Sequence, residues 1–360
     1  MGTIKLAIAG VGNCASALVQ GMEFYRTHDP AETAGVLHPD LGGYRIEDIQ
    51  VVCAFDIDAR KVGRTLDQAL LAPPNCTKIF QEKLPDYEVR VQMGPVLDGV
   101  ASHMADYDED KAFRVADAEP VEVAAALRDS GAEVLACYLP VGSEDAVRHY
   151  AEACLQAGVA LVNCVPVFIA SDPLWAKRFA KLGLPVVGDD IKSQVGSTIV
   201  HRTLARLLGD RGVQLDHTYQ LNTGGNTDFL NMLEQRRLRS KRISKTESVQ
   251  AQLDPPLAAD DIHIGPSDYV AWQHDNKVAF VRLEWRGFGE VPMSLELRLS
   301  VEDSPNSAGV AIDAIRCAKL ALDRKIGGPL LEISALAMKH PPEQMRDIDA
   351  RRALETFIHP

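Results

Sequence analysis

The first half of the chain alternates short apolar runs with amphipathic segments, and this alternation limits the possible fold more than any other feature. The apolar runs read IKLAIAG, VVCAFD, VLACYLP, VALVNCVP and LPVVGDD, and the helical patterns cover residues 15–25, 59–71, 143–157 and 172–182. Strands that alternate with helices form right-handed βαβ units, in which the strands lie parallel. The pattern therefore predicts an α/β protein with a doubly wound parallel sheet.

Beyond residue 212 the pattern changes to strands in which apolar and polar residues alternate. In VPMSLELRLSVED one face carries Met293, Leu295, Leu297, Leu299 and Val301. Such a strand predicts a half-buried, largely antiparallel sheet in a second, α+β domain. Helical patterns follow over 304–325 and from residue 343 onward. We assign residues 1–190 and 304–360 to the first domain and residues 191–303 to the second.

Composition limits the partners that the chain can bind. The chain has 360 residues, 46% of them apolar, and a formal net charge of −12. This acidity argues against binding to nucleic acid or to an anionic membrane, because both attract a basic face. Seven cysteines without a CxxC pair, and an opening MGTIKLAIAG without a leader-like apolar stretch, indicate a cytoplasmic protein without structural disulfides.

The segment AIAGVGNCASALVQG carries a glycine pattern between the first predicted strand and the first predicted helix. Gly10, Gly12 and Ala15 form a G-x-G-x-x-A motif. The first glycine allows a tight turn, the second lets a pyrophosphate approach the backbone, and the helix N-terminus offers free N–H groups. The motif in this position predicts a Rossmann-like dinucleotide-binding domain.

Two further turns fit the same site. The second predicted strand ends at Asp56, where an acid accepts hydrogen bonds from the adenosine ribose of NAD. A long insertion separates Asp56 from the glycine motif, so a plain aspartate at the end of a strand is the alternative interpretation. In CYLPVGSED, Pro140 and Gly142 follow another predicted strand and are placed to border the nicotinamide.

The stretch RRLRSKRISK, residues 236–245, places six cations in ten positions of this acidic chain. A charge run is most often a solvated helix face. In a chain with so little other basic clustering, the run also fits a small anionic ligand. Both interpretations stay open on charge alone.

Several stretches together resemble one family. GVGNCASALVQG, VPVFIASDP, GDDIKSQVGST, LNTGGNTDFLNM, RSKRISKT, HIGPSDYV and EDSPNSAGV are similar to segments of the inositol-phosphate synthases, specifically the short actinobacterial type, over nearly the whole chain. The resemblance implies conversion of D-glucose 6-phosphate to 1D-myo-inositol 3-phosphate, the first step of inositol biosynthesis. It implies that NAD oxidises C5, that an enolate at C6 attacks the C1 aldehyde, and that the same cofactor then reduces the resulting ketone.

The resemblance also implies site residues and an assembly. The implied catalytic residues are Lys241, Lys245, Lys277, Lys339, Asp190, Asp228 and Asp303. The implied NAD-binding residues include Asn13, Cys14, Ser193, Asp228 and Lys241 beside Gly10, Gly12, Asp56 and Pro140. It further implies a homotetramer built through the sheet domain.

The implied chemistry by itself also requires lysines and acids of this kind. Enolate and alkoxide charge needs fixed cations, and a lysine crowded by other cations has a pKa lowered toward that of a general base. Lys241 and Lys245 are four residues apart, hence on one helical face. We expect Arg236, Arg237 and Arg239 to be solvated surface charges.

Plain structural roles remain as alternatives at the other positions. Asp228 and Asp303 could each cap a helix, Lys277 could be a lysine on an edge strand, and Lys339 could be an exposed lysine. We expect His201, His217 and His274, which lack metal-ligand spacing, to be ordinary core or surface histidines.

The chain departs from the family at one segment that bears on the metal-ion requirement. Two other functions also remain as alternatives to inositol-phosphate synthesis. Long eukaryotic members carry G-Q-T where this chain reads KSQVGST, which leaves the requirement for a divalent metal ion open. An NAD-dependent dehydrogenase of a small phosphorylated substrate is the first alternative. A non-catalytic NAD-binding regulator is the second.

Overall fold

The computed structural model describes residues 2–360, apart from the side chains at positions 266 and 267, which fall within the HIGPSDYV stretch. The strands are β1 (Ile4–Ala9), β2 (Ile49–Asp56), β3 (Val91–Met93), β4 (Val134–Cys137), β5 (Ala160–Asn163), β6 (Pro185–Val187), β7 (Gln214–Gly224), β8 (Ile262–Tyr269), β9 (Asn276–Arg286), β10 (Pro292–Glu302) and β11 (Gly328–Pro329).

The helices lie between these strands along the chain. They are α1 (Asn13–Thr27), α2 (Leu66–Leu70), α3 (Val123–Ser130), α4 (Glu144–Ala157), α5 (Pro173–Lys181), α6 (Ser197–Asp210), α7 (Thr227–Asn231), α8 (Arg239–Gln250), α9 (Asp303–Asp323), α10 (Leu331–Ala337) and α11 (Asp347–Ile358).

The first sheet has seven strands in the order β11-β6-β5-β4-β1-β2-β3. All its neighbouring strands pair in parallel, for example Leu6 with Val51 on one side and with Val134 on the other. Helices cover both faces, so the central strands are almost completely buried. This arrangement confirms the predicted doubly wound parallel sheet.

The second sheet has four strands in the order β10-β9-β7-β8. β9 pairs antiparallel with both β7 and β10, whereas β7 and β8 run parallel. The sheet is therefore mostly antiparallel, as predicted. After β10 the chain returns to the first sheet, because α9 packs against α1 and β11 joins the edge at β6.

The predicted helix over residues 59–71 is wrong except in its last turn, α2. Here the backbone N–H groups of Gly63 and Leu66 donate to the carbonyls of Val91 and Val89, at 2.8 Å each. Backbone N–H groups that donate to a neighbouring segment cannot also form the i to i−4 hydrogen bonds of a helix. The terminal helix also begins later than predicted, at Asp347 rather than at residue 343.

The apolar face predicted for β10 is less buried than expected. Met293 and Leu295 remain 45% and 37% exposed, and Phe280 on the neighbouring strand is 41% exposed. β10 is the outer strand of its sheet, so only one side of it pairs with another strand. In residues 2–360, no helix is long and apolar enough to cross a membrane.

Candidate active site

The glycine motif forms a tight turn between β1 and α1. Gly10 has φ +91, and a Cβ on it would lie 2.8 Å from the carbonyl oxygen of Tyr138, so only glycine fits without strain. A Cβ on Gly12 would meet nothing within 4 Å, because Gly12 faces an open cavity. The N-cap of α1 makes no side-chain hydrogen bond. The turn thus offers space and backbone donors to a diphosphate.

Asp56 lies beside this turn but does not line the cavity. One carboxylate oxygen accepts a hydrogen bond from the N–H of Val11 at 2.7 Å, and the other accepts from the N–H groups of Ile57 and Asp58. Asp56 therefore holds the glycine turn against the end of β2. Its predicted contact with the ribose of NAD stays a prediction.

One cavity brings together the other predicted site residues, apart from Gly10 and Gly142. Its lining includes Gly12, Asn13, Cys14, Pro140, Asp190, Ser193, Asp228, Lys241, Lys245, Lys277, Asp303 and Lys339. These residues come from loops, helices and one strand that span the chain from Gly12 to Lys339. We call Lys241, Lys245, Lys277 and Lys339 the lysine cluster.

Asp190 lies at the centre of the lysine cluster. The same carboxylate oxygen accepts hydrogen bonds from the Nζ atoms of Lys241 at 3.0 Å and Lys339 at 3.1 Å. The hydroxyl of Ser244 donates to the other oxygen. Burial alone would raise the pKa of Asp190, but the two ammonium groups outweigh it and hold this pKa below its usual range. Asp190 is therefore a fixed anion that orients two lysines.

Lys241 and Lys245 lie one turn apart on α8, yet their pKa values shift in opposite directions. Burial opposes the charged form of Lys241, but the carboxylates of Asp190 and Asp228 outweigh burial and raise its pKa. Lys245 is only 7% exposed, and burial together with the three other lysines lowers its pKa well below the ordinary value of 10.5. Burial also lowers the pKa of Lys339, to about 8. The cluster therefore pairs a stable cation with a lysine that gives up its proton readily.

Lys277 and Asp303 form an ion pair at another part of the cavity wall. Lys277 is the second residue of β9, an inner strand, so the edge-strand interpretation is wrong. Asp303 starts α9 without capping it, and Lys277 outweighs burial to lower the pKa of Asp303. Behind the pair lies Asp275, whose pKa burial and the charge of Asp303 raise to about 6.

Asp228 lies in the first turn of α7 but does not cap it. The side chain of Asn226 is the cap, accepting from the N–H groups of Asp228 and Phe229 at 3.0 and 3.1 Å. The carboxylate of Asp228 instead accepts from the N–H of Val141 at 3.3 Å. It is thus directed from the second sheet toward the turn after β4.

Comparisons with known proteins identify the family. The family model described as myo-inositol-1-phosphate synthase matches residues 196–304. The inositol-3-phosphate synthase of Mycolicibacterium smegmatis is 55% identical over 362 residues, covering 99% of this chain and 98% of the relative. The chain belongs to the myo-inositol-1-phosphate synthase family. The inositol-3-phosphate synthase of Corynebacterium glutamicum is 54% identical, with the same coverage of both chains.

A solved structure shows the same fold. A myo-inositol-1-phosphate synthase-related protein from Thermotoga maritima superimposes with a TM-score of 0.78 at 23% identity, covering 99% of this chain and 98% of that one. The superimposed part of this chain includes both the parallel sheet and the second sheet. The likeness supports the two-sheet architecture described above.

The sequence analysis missed several residues that line the cavity of this family member. Ser197 and Thr198 form the first turn of α6, whose N-cap residue, Gly196, provides no side-chain hydrogen bond. The sequence GST could have predicted them, since a glycine followed by two hydroxyl residues at the start of a helix favours binding of an anion. Asp275 does not line the cavity but accepts hydrogen bonds from Ser304, which does, and no pattern in HDNKVAF distinguishes it.

The expectation that Arg237 is a solvated surface charge is wrong. Its guanidinium donates to the carbonyls of Val141 and Asp98 and to the hydroxyl of Ser143, at 2.8–3.2 Å. The side chain of Arg236, by contrast, is 87% exposed. Arg236 and Arg237 are adjacent in the chain, and the run of cations alone does not reveal which arginine faces inward.

His201 is a core histidine, as expected. Its two ring nitrogens lie 3.3 Å from Gln220 and 2.8 Å from Thr218, and burial lowers its pKa to about 4. Within residues 2–360 no three His, Cys, Asp or Glu side chains converge as a metal site. Asp190 and Asp303 in the cavity are already paired with lysines. This donor set does not fit a divalent ion, and no step proposed below involves one.

Proposed function

We propose that the chain converts D-glucose 6-phosphate to 1D-myo-inositol 3-phosphate with NAD as a catalytic cofactor. One observation carries the proposal: a single cavity joins the glycine turn of a dinucleotide site to four lysines and three acids. A reaction that builds negative charge on sugar oxygens beside a nicotinamide needs this combination. Family membership gives the same reaction.

The cavity fits NAD on the side of the glycine turn. Gly12 leaves open space beside the uncapped N-terminus of α1, and Pro140 lines the wall where the nicotinamide would lie. We propose that Asn13, Cys14 and Ser193, which line the same cavity, contact the cofactor. When bound, NAD supplies the oxidation at C5 of the sugar and the later reduction.

We place the phosphate of the substrate at the start of α6. Ser193, Ser197 and Thr198 line the cavity there, and the N-cap residue of α6, Gly196, provides no side-chain hydrogen bond to the N-terminal N–H groups. A helix N-terminus with free N–H groups attracts a dianion, and hydroxyl donors add hydrogen bonds to it. Fixing the phosphate there directs the sugar carbons toward the lysine cluster.

The opposite pKa shifts in the lysine cluster suggest different roles. We assign the neutral amine of Lys245 as the base that removes a proton from the sugar, because its pKa is the more strongly depressed. Lys241 stays charged beside Asp190 and stabilises the negative oxygen that develops during oxidation and enolisation. Lys277, held by Asp303, provides a second fixed cation.

A direct assay tests the proposal. The protein is incubated with glucose 6-phosphate and an amount of NAD well below that of the substrate, with no reductant added. We expect several molecules of inositol phosphate for each NAD, because the cofactor is restored in every cycle. Accumulation of one NADH per oxidised sugar would instead support the dehydrogenase alternative, and the absence of any sugar conversion would leave only a binding role.

We also propose a homotetramer in the cytoplasm, with domains at 1–190 plus 304–360 and 191–303. The exposed apolar side chains of Phe280, Met293 and Leu295 on the second sheet support assembly through that sheet. Seven unpaired cysteines support a reducing compartment. Light scattering would measure the assembly, and Met293→Glu should reduce the mass of the particle.

A further inference from the structure

Arg237 connects the loops that follow β3 and β4 with the helical segment that leads into α8. Its Nε donates to the carbonyl of Val141 at 3.0 Å, its Nη1 to the carbonyl of Asp98 at 2.8 Å and its Nη2 to the hydroxyl of Ser143 at 3.2 Å. All three acceptors lie in loops that follow strands of the parallel sheet. Arg237 itself lies in the short helix Gln235–Leu238, which leads directly into α8.

The backbone of the turn after β4 lies directly against Arg237. A Cβ on Gly142 would lie 2.5 Å from the Cβ of Arg237 and 2.9 Å from its Cα, and Gly142 has φ +82. No other residue fits there without moving one of the two segments. The contact is therefore a close fit of two backbones as well as a set of hydrogen bonds.

Other contacts join the same turn to the same helices. The carbonyl of Val141 also accepts from the side-chain amide of Asn231 at 2.8 Å, and its N–H donates to Asp228. The hydroxyl of Ser240 donates to Glu144 at 2.9 Å. Arg237 supplies three of the hydrogen bonds between the helical segments and the loops after β3 and β4. A charged donor forms a stronger hydrogen bond than a neutral one.

We propose that Arg237 is a positioning residue that couples NAD binding to sugar-phosphate binding. The inference rests on the function proposed above. Pro140 and Val141 line the cavity beside the glycine turn, whereas Lys241 lies one helical turn after Arg237 on the other side. A cofactor that packs on the turn fixes the acceptors of Arg237, and Arg237 then fixes the start of α8. By reciprocity, a sugar phosphate held by α8 strengthens NAD binding by the same factor.

The neighbouring residue provides a matched control. The side chain of Arg236 is 87% exposed and pairs with Glu234 in its own segment at 2.7 Å. Arg236→Met removes the same charge from the same basic run without touching the turn after β4. It controls for the general electrostatic attraction of anions to this surface.

The coupling is measured by binding. NAD affinity is determined by calorimetry for the wild type, Arg237→Met and Arg236→Met, with and without saturating D-glucitol 6-phosphate. This open-chain analogue lacks the C1 aldehyde that ring closure needs. We expect the analogue to strengthen NAD binding roughly tenfold or more in the wild type and in Arg236→Met, but less than about threefold in Arg237→Met. NAD affinity without the analogue should change less than the coupling does, and the thermal midpoint of Arg237→Met should fall because three hydrogen bonds are lost.

Equal coupling in Arg237→Met and the wild type would overturn the proposal, as would a wild type without coupling. If Arg237→Met does not fold, the same binding measurement is made on Arg237→Lys. Lysine keeps the charge but cannot donate to three acceptors at once. Partial coupling in Arg237→Lys supports the proposal, and full coupling overturns it. These binding results are independent of the assay for inositol phosphate, so failure of the proposed reaction would be seen separately.

Discussion

The glycine turn and the lysine cluster form different walls of one cavity, and they are built in different ways. The turn is made by consecutive residues, and no side chain at the N-cap of α1 bonds to its backbone N–H groups. The lysine cluster is made by side chains from α8, β9 and the segment after α10, oriented by acids from further segments. One wall is a local structure and the other is a product of the whole fold.

This difference affects how each wall responds to substitution. The turn depends on the space at Gly12, so an added side chain acts by steric exclusion. The lysine cluster depends on charges that share partners, so removing one charge changes the pKa values of the others. The following substitutions test this contrast, beginning with the largest expected effect.

We expect NAD to co-purify with the wild-type protein. Gly12→Val should abolish this co-purification, because its side chain would enter the cavity space next to the N-terminus of α1. Folding should be retained, since a Cβ there meets no atom within 4 Å. The nucleotide released from denatured protein is quantified by chromatography. Gly209→Val, where a Cβ likewise meets nothing but lies far along α6, is the control. A full content of NAD in Gly12→Val would mean that the cofactor lies elsewhere.

Lys241→Met and Lys245→Met should each lower turnover by at least about a hundredfold, the scale lost when one fixed donor to developing charge is removed. Methionine keeps the apolar stem and deletes the charge. Formation of inositol phosphate is compared at matched NAD occupancy. Arg242→Met on the exposed side of α8 should stay within a few-fold of the wild type. Similar losses of turnover in Arg242→Met and in the two lysine variants would show that the lysine cluster contributes no more than a surface cation of α8.

The pH profile should distinguish Lys245 from an ordinary lysine. Its folded pKa is depressed, so the neutral amine forms at a lower pH, and kcat should fall only as pH drops through that depressed pKa. We expect kcat to level off well below pH 10.5, the ordinary lysine value. Turnover measured across the pH range checks this. A rate that keeps rising toward pH 10.5 would show that no depressed lysine acts as the base.

Asp56→Asn should weaken NAD binding by roughly tenfold, the effect of one lost charge-assisted hydrogen bond. Asparagine keeps one acceptor oxygen, but its amide group would face an N–H donor of Val11 or of Ile57 and Asp58. The NAD dissociation constant and the free energy of unfolding are both measured. We expect the larger change in NAD binding, and an unchanged dissociation constant would leave Asp56 as a turn residue only.

Local patterns in the sequence predicted the parallel sheet and the glycine turn after β1. The runs that became β1, β2, β4, β5 and β6 are largely apolar, because these strands are buried on both faces. Gly10 and Gly12 are predictable for the same reason, because their conformations depend on neighbours in the chain. The lysine cluster was found by resemblance to a family, since no spacing rule links residues 241, 277 and 339.

Only the tertiary structure decided how these residues differ. Lys241 and Lys245 look alike in RSKRISKT, but Asp190 reaches one of them, whereas burial and three cations act on the other. Arg236 and Arg237 are adjacent, yet one is solvated and the other contacts the turn after β4. The pKa of a side chain and its burial depend on atoms brought near by folding. Those atoms come from segments that the local sequence around a residue does not contain.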